Sequence, residues 1–146
     1  MKKYFSILII LVSPFLSCKK FLDLTPQYLV NTGDFYKTPQ DFDAALIGIY
    51  GQARSLYNTS MIYIGELTTD NAYIQWTSPT TSELELDELR MTPSNSFVGS
   101  AYTLNFKMIT ASNTILDQMD NADLPDNLKN QYRGEARFLR AFGYFN

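Results

Sequence analysis

The sequence predicts an all-α fold, because three long segments repeat apolar residues at the spacing of a helical face. These segments lie at about residues 38–57, 97–120 and 125–145. Only residues 121–124 separate the second segment from the third, and so short a connection predicts an antiparallel helical hairpin. Residues 72–95 separate the first two segments and are rich in Ser, Thr and Pro, which predicts a long irregular loop section.

The composition excludes several classes of function. Of 146 residues, 45% are hydrophobic and 18% are charged, which is typical of a globular protein. The net charge is −3 and no basic stripe occurs, which argues against nucleic acid as a partner. The chain has no His and only one Cys, Cys18, so Cys/His metal sites, Ser-His and Cys-His nucleophile systems and internal disulfides are excluded. We expect no cofactor, no metal and no catalytic residue.

The first residues have the pattern of a bacterial lipoprotein signal. Lys2 and Lys3 precede an apolar run at residues 4–16, which is shorter than the roughly 20 residues that a membrane-spanning helix needs. Ser17 and Cys18 then resemble a lipobox, although Phe15 stands where Leu is usual. We predict that residues 1–17 are a lipoprotein signal peptide and that Cys18 carries the lipid. The alternative is a plain secreted protein with a stray cysteine.

Residues 18–37 are predicted to form an extended N-terminal tether. Pro26 and Gly33 interrupt any helical period in this segment. Its apolar residues are too frequent for a free linker, so we expect the tether to pack on the body, residues 38–146. They are Phe21, Leu22, Leu24, Tyr28 and Leu29.

The first predicted helix has a clear start. Thr38 is placed to cap it, Pro39 suits its first turn, and Asp41 is placed for a capping box. An apolar stripe carries the helix to about Ser55 or Tyr57, and consists of Phe42, Ala45, Leu46, Ile49, Tyr50 and Ala53. Gly48 and Gly51 lie within it and predict close approach of a neighbouring helix. The next segment, Met61–Leu67, fits either a strand or a buried helical turn.

The irregular section contains four acidic residues at residues 83–88. Their spacing is too wide for a calcium site, so we interpret them as a solvated loop. An enzyme that uses paired carboxylates from Glu83, Glu85 and Asp87 is an alternative, although no pocket is evident beside them.

The last two predicted helices each have apolar residues around much of their circumference. Ser94 and Ser96 are candidate caps for the helix at residues 97–120. One of its faces carries Tyr102, Phe106, Ile109, Asn113 and Leu116, and another carries Ala101, Leu104, Met108, Ala111, Ile115 and Met119. The final helix carries Leu128, Tyr132, Ala136, Leu139, Phe142 and Gly143 on one face, and a second row of Phe138, Ala141 and Phe145. Such helices need cover on more than one side, which predicts the front part of a larger helical protein. Glu135, Arg137 and Arg140 are predicted to form surface or inter-helix ion pairs.

Four motifs in chain order resemble the SusD/RagB family of nutrient-binding lipoproteins of Bacteroidetes. Cys18 and Phe21-Leu22-Asp23-Leu24-Thr25-Pro26 are similar to the family's opening, Cys-x-x-aromatic-Leu-Asp-x-x-Pro. Glu66-Leu67-Thr68-Thr69-Asp70-Asn71 resembles its Glu-Leu-x-x-Asp element. The helix from Tyr102 to Asn113 is similar to its Trp-x-x-x-Tyr-x-x-Ile-x-x-Ala-Asn helix, with Tyr102, Phe106 and Ser112 as departures. Glu135-Ala136-Arg137-Phe138-Leu139-Arg140-Ala141 matches its helix signature at every position.

The resemblance implies an incomplete, N-terminal part of a larger SusD-like fold, built from tetratricopeptide-like helical hairpins. It implies a lipid-anchored protein of the outer membrane, facing outward, which binds an oligosaccharide or other nutrient. The implied partner is a SusC-like TonB-dependent transporter, to which the nutrient is delivered, and the implied role is binding rather than catalysis.

The candidate sugar-binding residues follow from the chemistry of sugar recognition. Sugar rings pack on flat aromatic faces, and their hydroxyls need amide or carboxyl partners. Trp76 is the only tryptophan and lies in the irregular section, so we predict that it stacks on sugar with Tyr73, Asn71 and Gln75 as helpers. The alternative is that Trp76 packs the loop onto the helices.

Two further functions stay open at this point. The chain fits a membrane-anchored helical-repeat scaffold that binds only protein, which glycan titration and transporter pull-down distinguish from a nutrient binder. It also fits a truncated reading frame whose product has no function.

Overall fold

The computed structural model describes residues 35–75 and 78–146, which are part of one compact unit, Gly33–Asn146. No residue in these two ranges is in a strand, which confirms the predicted all-α class. The predicted signal peptide, Cys18, most of the tether and Trp76 lie outside the described residues. The described helices are α1 (Pro39–Ser55), a π-helical turn (Leu56–Ser60), α2 (Met61–Leu67), α3 (Thr81–Asp87), α4 (Ser96–Met119) and α5 (Asp126–Phe145).

Helix α1 begins with the predicted capping box. The Asp41 N–H donates to Thr38 Oγ1 at 3.4 Å, and the Thr38 N–H donates to Asp41 Oδ2 at 2.8 Å. Backbone groups that the first turn would leave unpaired are thereby satisfied. The π-helical turn then leads directly into α2, so the segment at residues 61–67 is helical rather than a strand.

Helix α3 is absent from the sequence-based prediction, which treated residues 72–95 as one irregular section. Thr80 and Glu83 form a second capping box, in which the Thr80 N–H donates to Glu83 Oε2 at 2.7 Å. The Thr-x-x-Glu spacing was the available signal for this helix start. The interpretation of the acidic residues as a solvated loop is therefore wrong, because Glu83, Glu85 and Asp87 lie on a helix.

Asn95 joins α3 to the start of α4. Its Oδ1 atom accepts from the backbone N–H groups of Phe97 at 3.0 Å and Val98 at 3.4 Å, so Asn95 is the cap that we had assigned to Ser94 or Ser96. Its Nδ2 atom donates to the Ser82 carbonyl at 2.9 Å and to Glu85 Oε2 at 2.8 Å. Because Asn95 is buried, these bonds fix the position of α3 against the first turn of α4.

Helices α4 and α5 form the predicted antiparallel hairpin. Arg133 on α5 pairs with Asp120 near the end of α4 at 2.6 Å. Further along α5, a Cβ atom on Gly143 would lie 3.0 Å from Ile109 Cγ1 and 3.2 Å from the Asn105 carbonyl oxygen. The two helices therefore approach each other closely at Gly143.

The space around Gly48 and Gly51 differs from the prediction that a neighbouring helix approaches α1 closely at these two glycines. Among the described residues, a Cβ atom on Gly48 or Gly51 would meet nothing within 4 Å, and both glycines are exposed. In this part of the chain they therefore mark no helix contact.

The core lies between α1 and the hairpin. The ring of Phe42 on α1 stacks on that of Tyr132 on α5, with centroids 5.6 Å apart, and the Tyr132 hydroxyl donates to the Pro39 carbonyl at 3.3 Å. The cluster around this contact comprises Phe42, Leu46, Ile49, Leu56, Ala101, Met108, Ile115, Met119, Ala122, Tyr132, Ala136 and Leu139. The predicted inner face of the last helix is confirmed, since its members are buried or half-buried.

The capping carboxylates predict a loss of stability in acid. Hydrogen bonds from the Thr38 backbone and hydroxyl hold the pKa of Asp41 below its ordinary value of 3.8, and those from Thr80 hold the pKa of Glu83 below 4.5. A lowered folded-state pKa stabilises the fold above the unfolded-state pKa, and that stabilisation is lost as the pH falls through the folded-state pKa. We expect the free energy of unfolding to fall as the pH drops below about 4.5. Urea denaturation at several pH values tests this prediction. The free energy of unfolding should depend less on pH in the double variant Asp41→Asn/Glu83→Gln than in wild type. An identical pH dependence in the two proteins would contradict this account.

Candidate functional site

Three of the four predicted sugar-binding residues lie in the described segment that follows α2. Asn71, Tyr73 and Gln75 are exposed, and 79% of Tyr73 is accessible to solvent. The Ile74 N–H donates to Asp87 Oδ1 at 3.4 Å, which ties the segment to α3. Among the residues that the structure describes, no hydrogen bond joins the side chains of these candidates to one another. Their grouping around Trp76 stays a prediction.

Helix α4 carries an exposed aromatic surface that was not predicted from the sequence. Tyr102 and Phe106 had been assigned to a face packed against another helix, yet they are 65% and 47% exposed. Their ring centroids are 4.5 Å apart, and the rings are inclined by 37°. Ile109 on the same predicted face is buried, so only part of that face packs inward. We refer to Tyr102 and Phe106 as the aromatic ridge.

A cleft lies on each side of the aromatic ridge. The first, between α1 and α4, has a volume of about 470 Å³. Besides the ridge it is lined by Gln52, Thr103, Lys107, Thr110 and Ala111. The second lies between α2, α4 and the end of α5, with a volume of about 420 Å³. It is lined largely by apolar residues, among them Met61, Ile64, Ile109 and Tyr144.

The two clefts differ in how their polar atoms are satisfied. In the α1–α4 cleft, the Oε1 atom of Gln52 is buried and has no hydrogen-bond partner among the described residues. In the α2–α4–α5 cleft, Asn146 Nδ2 donates to Asn105 Oδ1 at 3.2 Å, and Asn105 Nδ2 donates to the Ala101 carbonyl at 3.0 Å. Tyr57 closes this network by donating to Asn146 Oδ1 at 2.7 Å.

The outer side of α5 is also exposed. Phe138 is 61% and Phe145 is 85% exposed, and Ala141 between them is exposed as well. The predicted second row therefore faces solvent in the described structure. A neighbouring pocket of about 620 Å³ is lined by Asn113, Arg137, Arg140, Ala141, Tyr144 and Phe145.

The ion pairs predicted for α5 do not form among the described residues. Arg140 donates to the amide oxygen of Asn113 at 3.0 Å, and Glu135 accepts from Gln131 at 3.0 Å. Within residues 35–75 and 78–146, the salt bridges join Arg90 with Glu88 and Arg133 with Asp120. The physical reason is that α4 presents an amide, and not a carboxylate, opposite Arg140.

Three carboxylates of α3 have structural partners. Glu83 caps α3, Glu85 accepts from Asn95, and Asp87 accepts from the Ile74 N–H. These contacts favour a structural role for the three carboxylates on which the alternative of an enzyme depends.

Burial first, and then the nearby Asp43 carboxylate, raises the pKa of Tyr132 above its ordinary value, so its phenol stays protonated at neutral pH.

Two features are absent from the described residues. No group of three or more His, Cys, Asp or Glu side chains there is arranged to hold a metal ion. No described helix combines the length and the apolar character needed to cross a membrane.

The described residues form a helical body with an aromatic ridge between two clefts. Residues 20–146 match a SusD-like family described as "starch-binding associating with outer membrane", so the chain belongs to the SusD-like family. The family membership that the sequence motifs predicted is thereby confirmed.

The chain is also similar to the SusD-like protein P38 of Formosa agariphila. The two are 28% identical over 130 residues, which cover 89% of this chain and 25% of that relative. The chain thus spans about a quarter of the length of this curated relative. No solved structure matches the chain.

Proposed function

We propose that the chain is the N-terminal part of an outer-membrane lipoprotein that binds glycans and works with a SusC-like TonB-dependent transporter. The observation that carries this proposal is the family match over residues 20–146, whose description combines starch binding with the outer membrane. The exposed aromatic side chains support it, because flat apolar faces are the surfaces on which sugar rings pack. The proposed role is capture and delivery of an oligosaccharide, without catalysis.

Attachment to the membrane is proposed to occur through lipid on Cys18. Each buried CH₂ of an acyl chain contributes about 0.8 kcal/mol, and stable anchoring takes more than one chain or signal. Such an anchor would hold the body, residues 38–146, at the outward face of the outer membrane, beside its proposed transporter.

The proposed primary sugar contacts are Trp76, Tyr73, Asn71 and Gln75. The exposure of Tyr73, Asn71 and Gln75 supports this assignment, since a ligand can reach them without any helix moving. The ring of Tyr73 offers an aromatic face, and the two amides offer both donors and acceptors to hydroxyl groups.

Trp76→Ala tests the assignment in the intact protein. We expect the variant to lose glycan binding on an oligosaccharide array while keeping its thermal transition, because the substituted residue contacts ligand rather than core. Phe138→Ala is the matched control, since it removes an exposed aromatic ring from α5, outside the segment at residues 71–76. Unchanged affinity of Trp76→Ala would remove Trp76 from the site.

The second candidate function is a membrane-anchored scaffold that binds protein. The exposed row of Phe138, Ala141 and Phe145 favours it, because contiguous exposed apolar side chains commonly mark a protein contact. Glycan titration without binding, combined with recovery of the transporter by pull-down, would favour the scaffold.

A further inference from the structure

We propose that the outer side of α5 is the docking surface for an acidic amphipathic helix from the part of the intact protein that this sequence does not include. The surface consists of Phe138, Ala141 and Phe145, which we call the outer row, and of the neighbouring Arg137 and Arg140. The inference rests on the proposed function only in taking the chain as the N-terminal part of a longer protein. Three observations carry it: the exposed outer row, two arginines without a carboxylate, and the length of the curated relative.

The outer row presents a continuous apolar stripe to solvent. Its members follow one another at spacings of three and four residues, so they share one side of α5 over about two turns. Both Phe rings are largely exposed, and the small side chain of Ala141 lies between them. Burial of such a stripe is favourable, and a helix fits it because one of its side chains can insert between two large residues that flank a small one.

The two arginines determine the charge of the partner. Arg137 and Arg140 line the pocket of about 620 Å³ beside the outer row, and none of the described residues that line it carries a carboxylate. Arg140 donates to the neutral amide of Asn113 at 3.0 Å, and the salt bridges of the described residues involve neither arginine. Covering a cation without a counter-charge is costly. A helix that buries this side of α5 must therefore bring at least one Asp or Glu to the pocket.

The same arginines disfavour a second copy of the chain as the occupant. In a two-fold pair both copies would use the same surface, so four guanidinium groups would meet, with no carboxylate among the described residues that line their pockets. The Glu135 carboxylate of α5 is engaged by Gln131 and by Tyr50 on α1. Self-association would therefore leave the arginines uncompensated.

The length of the relative favours a segment of the same protein. The match to the SusD-like protein P38 covers 25% of that relative, so about three quarters of its length has no counterpart in this chain. A segment of the same polypeptide is held near α5 at high effective concentration, which gives it an advantage over a separate protein for this surface. The proposed contact is limited to the second half of α5, from Arg137 to Phe145, and Gly134 lies outside it.

Photo-crosslinking of the intact protein tests which element covers the outer row. The photoreactive residue p-benzoylphenylalanine replaces Phe138 or Phe145, the purified protein is irradiated, and the linked peptide is identified by mass spectrometry. We expect both probes to link within the same molecule to one segment beyond residue 146. That segment should have apolar residues at helical spacing and at least one Asp or Glu. The same probe in place of Ile47, which is exposed on α1, is the matched control and should not link to that segment.

Thermal denaturation of variants of the intact protein tests the charge of the partner. We expect Arg137→Gln/Arg140→Gln to lower the thermal midpoint by about 2 °C or more, because it leaves a covered carboxylate without its partner. Arg137→Lys/Arg140→Lys should lower the midpoint less, since the positive charges remain. Arg54→Gln, at an exposed position of α1, is the matched control and should leave the midpoint unchanged. An equal midpoint in wild type and in the double Gln variant would refute the acidic partner.

The crosslinking outcomes separate this inference from the proposed function. Probes that link to nothing, to a second copy, or to residues before α1 refute the inference, whether or not the protein binds a glycan. Links to the transporter refute it as well, and they favour the scaffold that binds protein. If the expected intramolecular link forms and wild type binds no oligosaccharide, the inference stands and the glycan-binding function is refuted.

Discussion

Phe42→Ala is expected to lower the free energy of unfolding by about 3–5 kcal/mol, the range typical of a buried Phe truncated to Ala. Phe42 has no exposed surface, and its ring contacts those of Tyr36 and Tyr132 at centroid distances of 5.3 and 5.6 Å. The substitution leaves a cavity between α1 and α5 that the rigid aromatic neighbours fill poorly. Urea denaturation followed by far-UV circular dichroism measures the change.

Ile47→Ala is the matched control for that measurement. Ile47 lies on the same helix but is 70% exposed, so its truncation should change the free energy of unfolding by no more than about 0.5 kcal/mol. Equal losses at Phe42 and Ile47 would show that α1 does not pack through the face described above.

Two glycines on α5 are expected to respond in opposite directions. Gly143→Val should destabilise the protein by about 1–3 kcal/mol, because its branched side chain would overlap Ile109 and the Asn105 carbonyl oxygen. Gly134→Ala should stabilise it by up to about 1 kcal/mol, because a Cβ atom there meets none of the described residues within 4 Å and Ala is the better helix former.

Thermal and urea denaturation measure the change in stability of both variants. Because both glycines lie on the same helix, the comparison removes any general effect of replacing a glycine. Stabilisation by Gly143→Val would mean that α4 and α5 are further apart than the structure shows. Destabilisation by Gly134→Ala would mean that its face of α5 is covered.

Much of the fold could be predicted from the sequence, because its signals are local. The capping box of Thr38 and Asp41 and the short turn after α4 specify where helices begin and how two of them pair. Helix α3 was missed although Thr80 and Glu83 carry the same capping signal. The surrounding Ser, Thr and Pro residues concealed a helix that is only seven residues long.

Contacts between helices were harder to predict than the helices themselves. A glycine inside a helix has the same sequence signature whether it faces a neighbour, as Gly143 does, or solvent, as Gly48 does. Similarly, the spacing of Tyr102 and Phe106 shows that they share a face and does not show whether another element covers it. The candidate site at Asn71, Tyr73 and Gln75 came from residue chemistry alone, and the structure adds their exposure.

The central claim is that this SusD-like chain belongs to a protein that captures glycans at the outer membrane. The decisive measurement is a calorimetric titration of the intact wild-type protein with maltoheptaose, cellohexaose and xylohexaose. We expect saturable binding of at least one of these oligosaccharides, and loss of that binding in Trp76→Ala. A well-folded protein that binds none of them, and that still captures its transporter, would contradict the claim.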